Sequence, residues 1–107
     1  MKRIYLLVRL RPGVAAEDYE RFVREIDLHT APSVLPIESY EVIRLEGRIA
    51  KDESATFDYL EIVQVPDLEK FRAALAAPSE PLQALMQQAF TFLEESTVLD
   101  FVGEAVS

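Results

Sequence analysis

The stretch "FDYLEIVQVPDLEKFRAAL" (residues 57–75) decides the fold. Residues 57–65 carry apolar side chains at both odd and even positions, as a strand covered on both faces does. This is a central strand of a sheet. Asp67 is a good helix N-cap, and Leu68, Phe71 and Leu75 make a short helical stripe behind it. The chain therefore leaves a central strand directly into a helix.

Working outward from this passage gives the remaining elements. "RIYLLVRL" (3–10) alternates, with Ile4, Leu6, Val8 and Leu10 on one face and Arg3, Tyr5, Leu7 and Arg9 on the other. After the turn "RPG", the stretch "AAEDYERFVREIDLH" (15–29) has a helical stripe of Tyr19, Phe22, Val23 and Ile26. Glu17 and Asp18 sit in its first turn, where the helix dipole favours them. Pro32 and Pro36 bracket a loop, and Pro32 limits how far the helix runs. "IESYEVIRLEG" (37–47) alternates as a second strand ending at Gly47, and "RIAKDESAT" is a polar hairpin connection. Ser79 begins a further helix with Pro81 in its first turn; Leu82, Leu85, Met86, Ala89, Phe90 and Leu93 form its wide apolar face. "STVLDFVGEA" (96–105) is the last strand.

The order β-α-β-β-α-β, with its second helical region split in two, predicts an α+β, ferredoxin-like domain over residues 1–107, with a four-stranded antiparallel sheet. Helices cover only one face of such a sheet. The opposite face carries Tyr5 and Leu7 and, depending on register, Tyr40 and Val42 or Leu60 and Ile62. An apolar face of that size calls for a cover, and a homodimer through this open face is the expected one.

Composition narrows the function. The 107 residues hold 19 acidic and 11 basic side chains, a formal charge of −8 that repels phosphate backbones, so no nucleic-acid partner is expected. With no cysteine, disulfides, thiolate catalysis and zinc–sulfur sites are excluded, and a cytoplasmic location is expected. "MKRIYLLVRLRPG" is not read as a signal peptide, because Arg9 and Arg11 interrupt its apolar run. No stretch approaches the roughly 18 apolar residues of a membrane span. One histidine and no ligand-like spacing of acids predict no metal, and three scattered glycines form no phosphate loop.

The succession "IYLLVRLRPGVAAEDYERFVREID", "SYEVIRLEG" and "FDYLEIVQVPDLEKFRAAL" resembles the dimeric α/β-barrel superfamily and, within it, the RedY-like (HapK-like) group associated with prodiginine and related pigment pathways. The resemblance spans nearly the whole chain. It implies that two subunits join their sheets face to face into a barrel. It also implies a small pocket for a flat apolar molecule, handling of reactive pyrrole or indole intermediates, and no prosthetic group or other cofactor.

Candidate residues follow from the pattern. His29, the only histidine, lies seven residues after Phe22 and three after Ile26. If the helix persists, it continues the apolar stripe toward the sheet, where it is the candidate catalytic acid/base group. Otherwise it is a helix-end residue complementing the dipole. Asp27, two residues away, reads as a solvated helix-end acid. Tyr5, Tyr19, Tyr40 and Tyr59 are candidate substrate-binding residues, offering flat stacking surface and a phenol, against core or interface packing. Arg9, Arg44, Asp58 and Glu61 lie within predicted strands, where Arg–carboxylate pairs across strands are expected.

The functional expectation is a small cofactor-independent enzyme, or enzyme-like factor, that steers condensation, cyclisation or isomerisation of an aromatic, pyrrole- or indole-like intermediate. A non-enzymatic ligand-binding or stress-response dimer is the alternative outside enzymology. A cofactor-free quinol-forming monooxygenase ranks lower, because such proteins commonly use asparagine, tryptophan and histidine, and this chain has neither asparagine nor tryptophan.

Overall fold

A computed structural model describes residues 1–107. Four strands, β1 (Lys2–Val8), β2 (Ser39–Arg44), β3 (Tyr59–Val65) and β4 (Leu99–Gly103), form one antiparallel sheet in the order β2-β3-β1-β4. The ferredoxin-like order is the predicted one, and β3 does lie inside the sheet. The observed strands are shorter than their sequence patterns. Leu10, for instance, leaves the sheet and bridges only to Leu93.

Register decides which side chains share a face. Tyr5 lies opposite Ile62 and Leu7 opposite Leu60, while Tyr40 lies opposite Val63. Of the two alternatives open in sequence, Leu60 and Ile62 therefore join Tyr5 and Leu7 on the uncovered face, and Tyr40 and Val42 turn toward the helices. Phe101, opposite Tyr5 and 52% exposed, extends the uncovered apolar face onto β4.

The first helical segment departs from the regular helix expected to stop near Pro32. It comprises α1 (Ala16–Phe22), a π-helical turn (Val23–Asp27) and α2 (Leu28–Val34), with Pro32 inside the last piece. The Leu28 N–H reaches the Val23 carbonyl, five residues back, which underwinds the chain by widening that turn. Pro32 lacks only the N–H that would donate one turn back, and the Leu35 N–H closes the end on the Ala31 carbonyl at 2.9 Å. Thus Pro32 interrupts one bond without ending the helix.

Asp67 accepts from the Lys70 N–H to begin α3 (Leu68–Ala76), and Ser79 accepts from the Leu82 N–H to begin α4 (Glu80–Phe92). All the helices pack on one face of the sheet. The core between them is divided. Tyr19, Phe22, Tyr59, Leu85 and Leu93 belong to one cluster, and Ile4, Val63, Val65 and Phe71 to another. Side chains of both clusters face a cavity lying between them.

Candidate active site: a carboxyl pair on one tyrosine

The cavity has a volume of about 420 Å³, and 20 of its 24 lining residues are hydrophobic. Its remaining lining residues are Asp27, Glu61, Arg72 and Asp100. Two of these four, Asp27 and Glu61, are each only 6% exposed. Carboxyl groups seldom sit so deep without a partner, so their hydrogen bonds define the site.

Tyr40 supplies those bonds. Its hydroxyl lies 2.6 Å from Asp27 Oδ2 and 2.5 Å from Glu61 Oε1. The sheet register explains the approach from one side. Tyr40 on β2 faces Val63, two residues along β3 from Glu61, so Tyr40 and Glu61 are diagonal neighbours on the same face. The π turn delivers Asp27 from the other side. Tyr19, Val23, Asp27 and Ala31 recur every four residues and are all buried. A step of four residues overshoots an α-helical turn by about 40°. The widened turn absorbs that overshoot and keeps Asp27 pointing inward.

Proton counting gives this arrangement its chemistry. A phenol has one proton to donate, yet Tyr40 makes two short contacts to carboxyl oxygens. If both carboxyls were ionised, one contact would set lone pair against lone pair. One carboxyl therefore carries a proton and donates it to the Tyr40 oxygen, while Tyr40 donates to the other. Burial raises Glu61 to about 7, with neighbouring Asp27 adding to the effect against the opposing hydrogen bond from Tyr40. Burial also raises Asp27, again opposed by the Tyr40 hydrogen bond. Burial thus raises both carboxyls, and because they meet on one phenol the ionisation of either bears on the other. Burial, followed by the two carboxyls, pushes the Tyr40 phenol far above its ordinary value, so it remains a hydroxyl.

Beside this set lies Tyr19, whose hydroxyl is fully enclosed and makes no hydrogen bond of normal geometry; burial, and then the nearby Glu61 carboxyl, push its phenol far up. Its ring packs 4.9 Å from that of Tyr59 and 5.9 Å from that of Phe92. The Tyr59 hydroxyl turns away to Glu20 at 2.7 Å, which also receives the Arg44 guanidinium through both carboxylate oxygens. Those bonds hold Glu20 down at about 2, the Arg44 contact contributing most.

The sequence-predicted residues separate accordingly. Tyr40 lines the cavity; Tyr19 and Tyr59 are buried in the adjoining core, and Tyr5 lies on the uncovered sheet face. His29 is exposed and is not among the cavity-lining residues, contrary to the expected direction of its ring. It stands two residues from each of the inward positions 27 and 31, on the outer side of α2. Asp27, expected in solvent, takes the inward place instead. Glu61, expected to pair with an arginine, pairs with Tyr40. Among the strand charges, Arg44 does find a carboxylate, Glu20, but on a helix rather than a strand. Arg9 lies over the Phe57 ring at 4.6 Å, and Asp58 accepts from the Leu10 N–H at 2.8 Å.

No helix is long and apolar enough to cross a membrane, and no group of three or more potential ligands could hold a metal ion. Comparison with known proteins adds a family. The family model described as REDY-like protein HapK matches residues 2–106. HapK from Hahella chejuensis superposes with a TM-score of 0.77 at 22% identity, covering 99% of this chain and 93% of that one. The Arabidopsis thaliana protein At3g17210 gives 0.76 at 13% identity, over 100% of this chain and 97% of its own. A dimeric ferredoxin-like protein of unknown function from Thermobifida fusca gives 0.64 at 15%, over 97% and 90%. At these identities the structures share the fold. No curated protein matches the chain in sequence.

Proposed function

The chain belongs to the REDY-like protein HapK family, and from that premise we propose that it is a small cofactor-independent acid/base catalyst. Its substrate is a flat aromatic, pyrrole- or indole-like intermediate, whose condensation, cyclisation or isomerisation it steers. The observation carrying this reading is the Tyr40 hydroxyl held between two buried carboxyls on the wall of an apolar cavity.

An electron-rich heterocycle reacts by taking a proton at a ring carbon and becoming a cation. Glu61, held near 7, is matched to that donation at neutral pH. The cation then lies beside the carboxylate it has created, in a low-dielectric site where opposite charges interact strongly. Return of a proton from the ring to a carboxylate restores the neutral heterocycle. Asp27 and Tyr40 hold Glu61 in place and share the charge. The apolar walls keep water away from the cation. A homodimer formed through Tyr5, Leu7, Leu60 and Ile62 belongs to the same proposal and leaves this cavity on the helix-covered side.

The test is hydrogen–deuterium exchange at the ring carbon of indole and of pyrrole in buffered D2O, followed by proton NMR. The wild-type protein should accelerate exchange over buffer, and E61Q and Y40F should lose the acceleration. Exchange at the buffer rate refutes the catalytic proposal. Saturable binding without exchange would instead favour the ligand-holding alternative.

A further inference from the structure

Asp100 is the cavity-lining carboxyl that the proposed chemistry does not use. On β4 it lies opposite Leu6, and Leu6 lies opposite Glu61 on β3. Directly opposed residues share a face, so Glu61, Leu6 and Asp100 form one row across the helix-covered side of the sheet. The outer carboxyl is thus two interstrand steps from the inner one, about 10 Å. Leu6 forms an apolar floor between them.

The polar groups of the cavity all suit the same kind of ligand. Tyr40 engages one oxygen each of Asp27 and Glu61; Asp27 Oδ1 and Glu61 Oε2 receive no hydrogen bond of normal geometry, although the Tyr19 hydroxyl also bears on Glu61. Neither is sealed in protein, because Tyr19 Oη is the one fully enclosed side-chain polar atom lacking a partner. Both free oxygens can therefore accept from a molecule in the cavity. The single cation, Arg72, already holds Glu69 at 3.0 Å. Asp100 enters none of the ion pairs of the chain and is exposed. An anionic ligand would meet three carboxyl groups and one occupied guanidinium, whereas a donor or cation at either end would meet an acceptor.

We infer that Asp100 is a second, distal anchor of the site, and that the ligand is an elongated aromatic molecule carrying a cationic or N–H donor group at each end. This inference rests on the cavity being the ligand site proposed above. A cavity of about 420 Å³ lies within the range of small-molecule sites and has room for two linked rings. The alternative for Asp100 is a charge that keeps an edge strand from pairing with another chain.

Isothermal titration of four molecules with one skeleton separates these readings: biphenyl, its carboxylic acid, its aminomethyl derivative and its bis(aminomethyl) derivative, at pH 7 and low salt. The bis-amine should bind at least tenfold more tightly than the mono-amine, and the acid should bind most weakly. D100N should erase the advantage of the second amine, while E61Q should weaken both amines. An advantage that is absent from the wild type, or that survives D100N, overturns the distal anchor; so does tightest binding by the acid. If the mono-amine binds in an E61Q-sensitive manner without a gain from the second amine, the distal anchor fails and the proposed site stands. If none of the four binds, both fail.

Discussion

Substitution of Glu61 by glutamine should change how stability depends on pH, and the direction follows from burial. In the unfolded chain Glu61 loses its proton near the ordinary 4.5, and in the native protein near 7. Between those values the folded protein keeps a proton that the unfolded chain has released. Unfolding then releases a proton, and stability falls as pH rises through the window. The stabilising state is fully present below about 4.5 and lost above about 7. A separation of that size, at 1.36 kcal/mol per unit, corresponds to about 3 kcal/mol. A glutamine side chain would keep a donor for the Tyr40 oxygen, as the protonated acid does, but it has nothing to ionise. The E61Q variant should therefore gain about 3 kcal/mol relative to wild type between pH 4.5 and 8. Urea unfolding at a series of pH values and one protein concentration measures this, the fixed concentration removing any contribution from association. Because burial also raises Asp27, some slope remains in the variant. Parallel wild-type and E61Q curves across the window would refute the buried, proton-holding Glu61.

Three further outcomes test neighbouring parts of the structure. Y40F leaves two buried carboxyls without their shared partner and should cost about 2 kcal/mol at pH 7 by urea unfolding; a loss below about 0.5 kcal/mol would deny the bridge its importance. H29A removes an exposed side chain and should change stability by less than about 0.5 kcal/mol, with deuterium exchange into indole retained; loss of exchange would restore His29 as the acid/base group. Leu60→Asp, on the uncovered sheet face, should convert a wild-type dimer to a monomer in sedimentation velocity, and a monomeric wild type would overturn the proposed cover for that face.

The fold was legible because its strands alternate and its helices are capped. Residues 57–65 predicted an inner strand, and Asp67 and Ser79 predicted helix starts that the structure bears out with side-chain caps. Register was less legible for a physical reason. Strands β2 and β3 carry apolar residues at both parities, so alternation alone could not choose between Tyr40 and Val42 or Leu60 and Ile62 for the open face. Partner strands made that choice, and with it they brought Tyr40 to Glu61.

The buried carboxyl pair was harder to find because a regular helix was the wrong ruler. Extending a constant 100° per residue from Phe22 and Ile26 turns His29 inward and leaves Asp27 outside. The signal favouring the opposite arrangement lay in the spacing Tyr19, Val23, Asp27 and Ala31, an apolar row of four-residue steps with one acid in it. Three such steps would drift about 120° on an α-helix, too far to remain one buried row. They hold together only if the helix is underwound, which the turn at Val23–Asp27 accomplishes. Glu61 left a similar trace, an acid at an inward position between Tyr59 and Val63. Each acid alone reads as an exception to its element's pattern. Together they converge on one phenol, and the Tyr40 hydroxyl is the partner with which each tolerates burial.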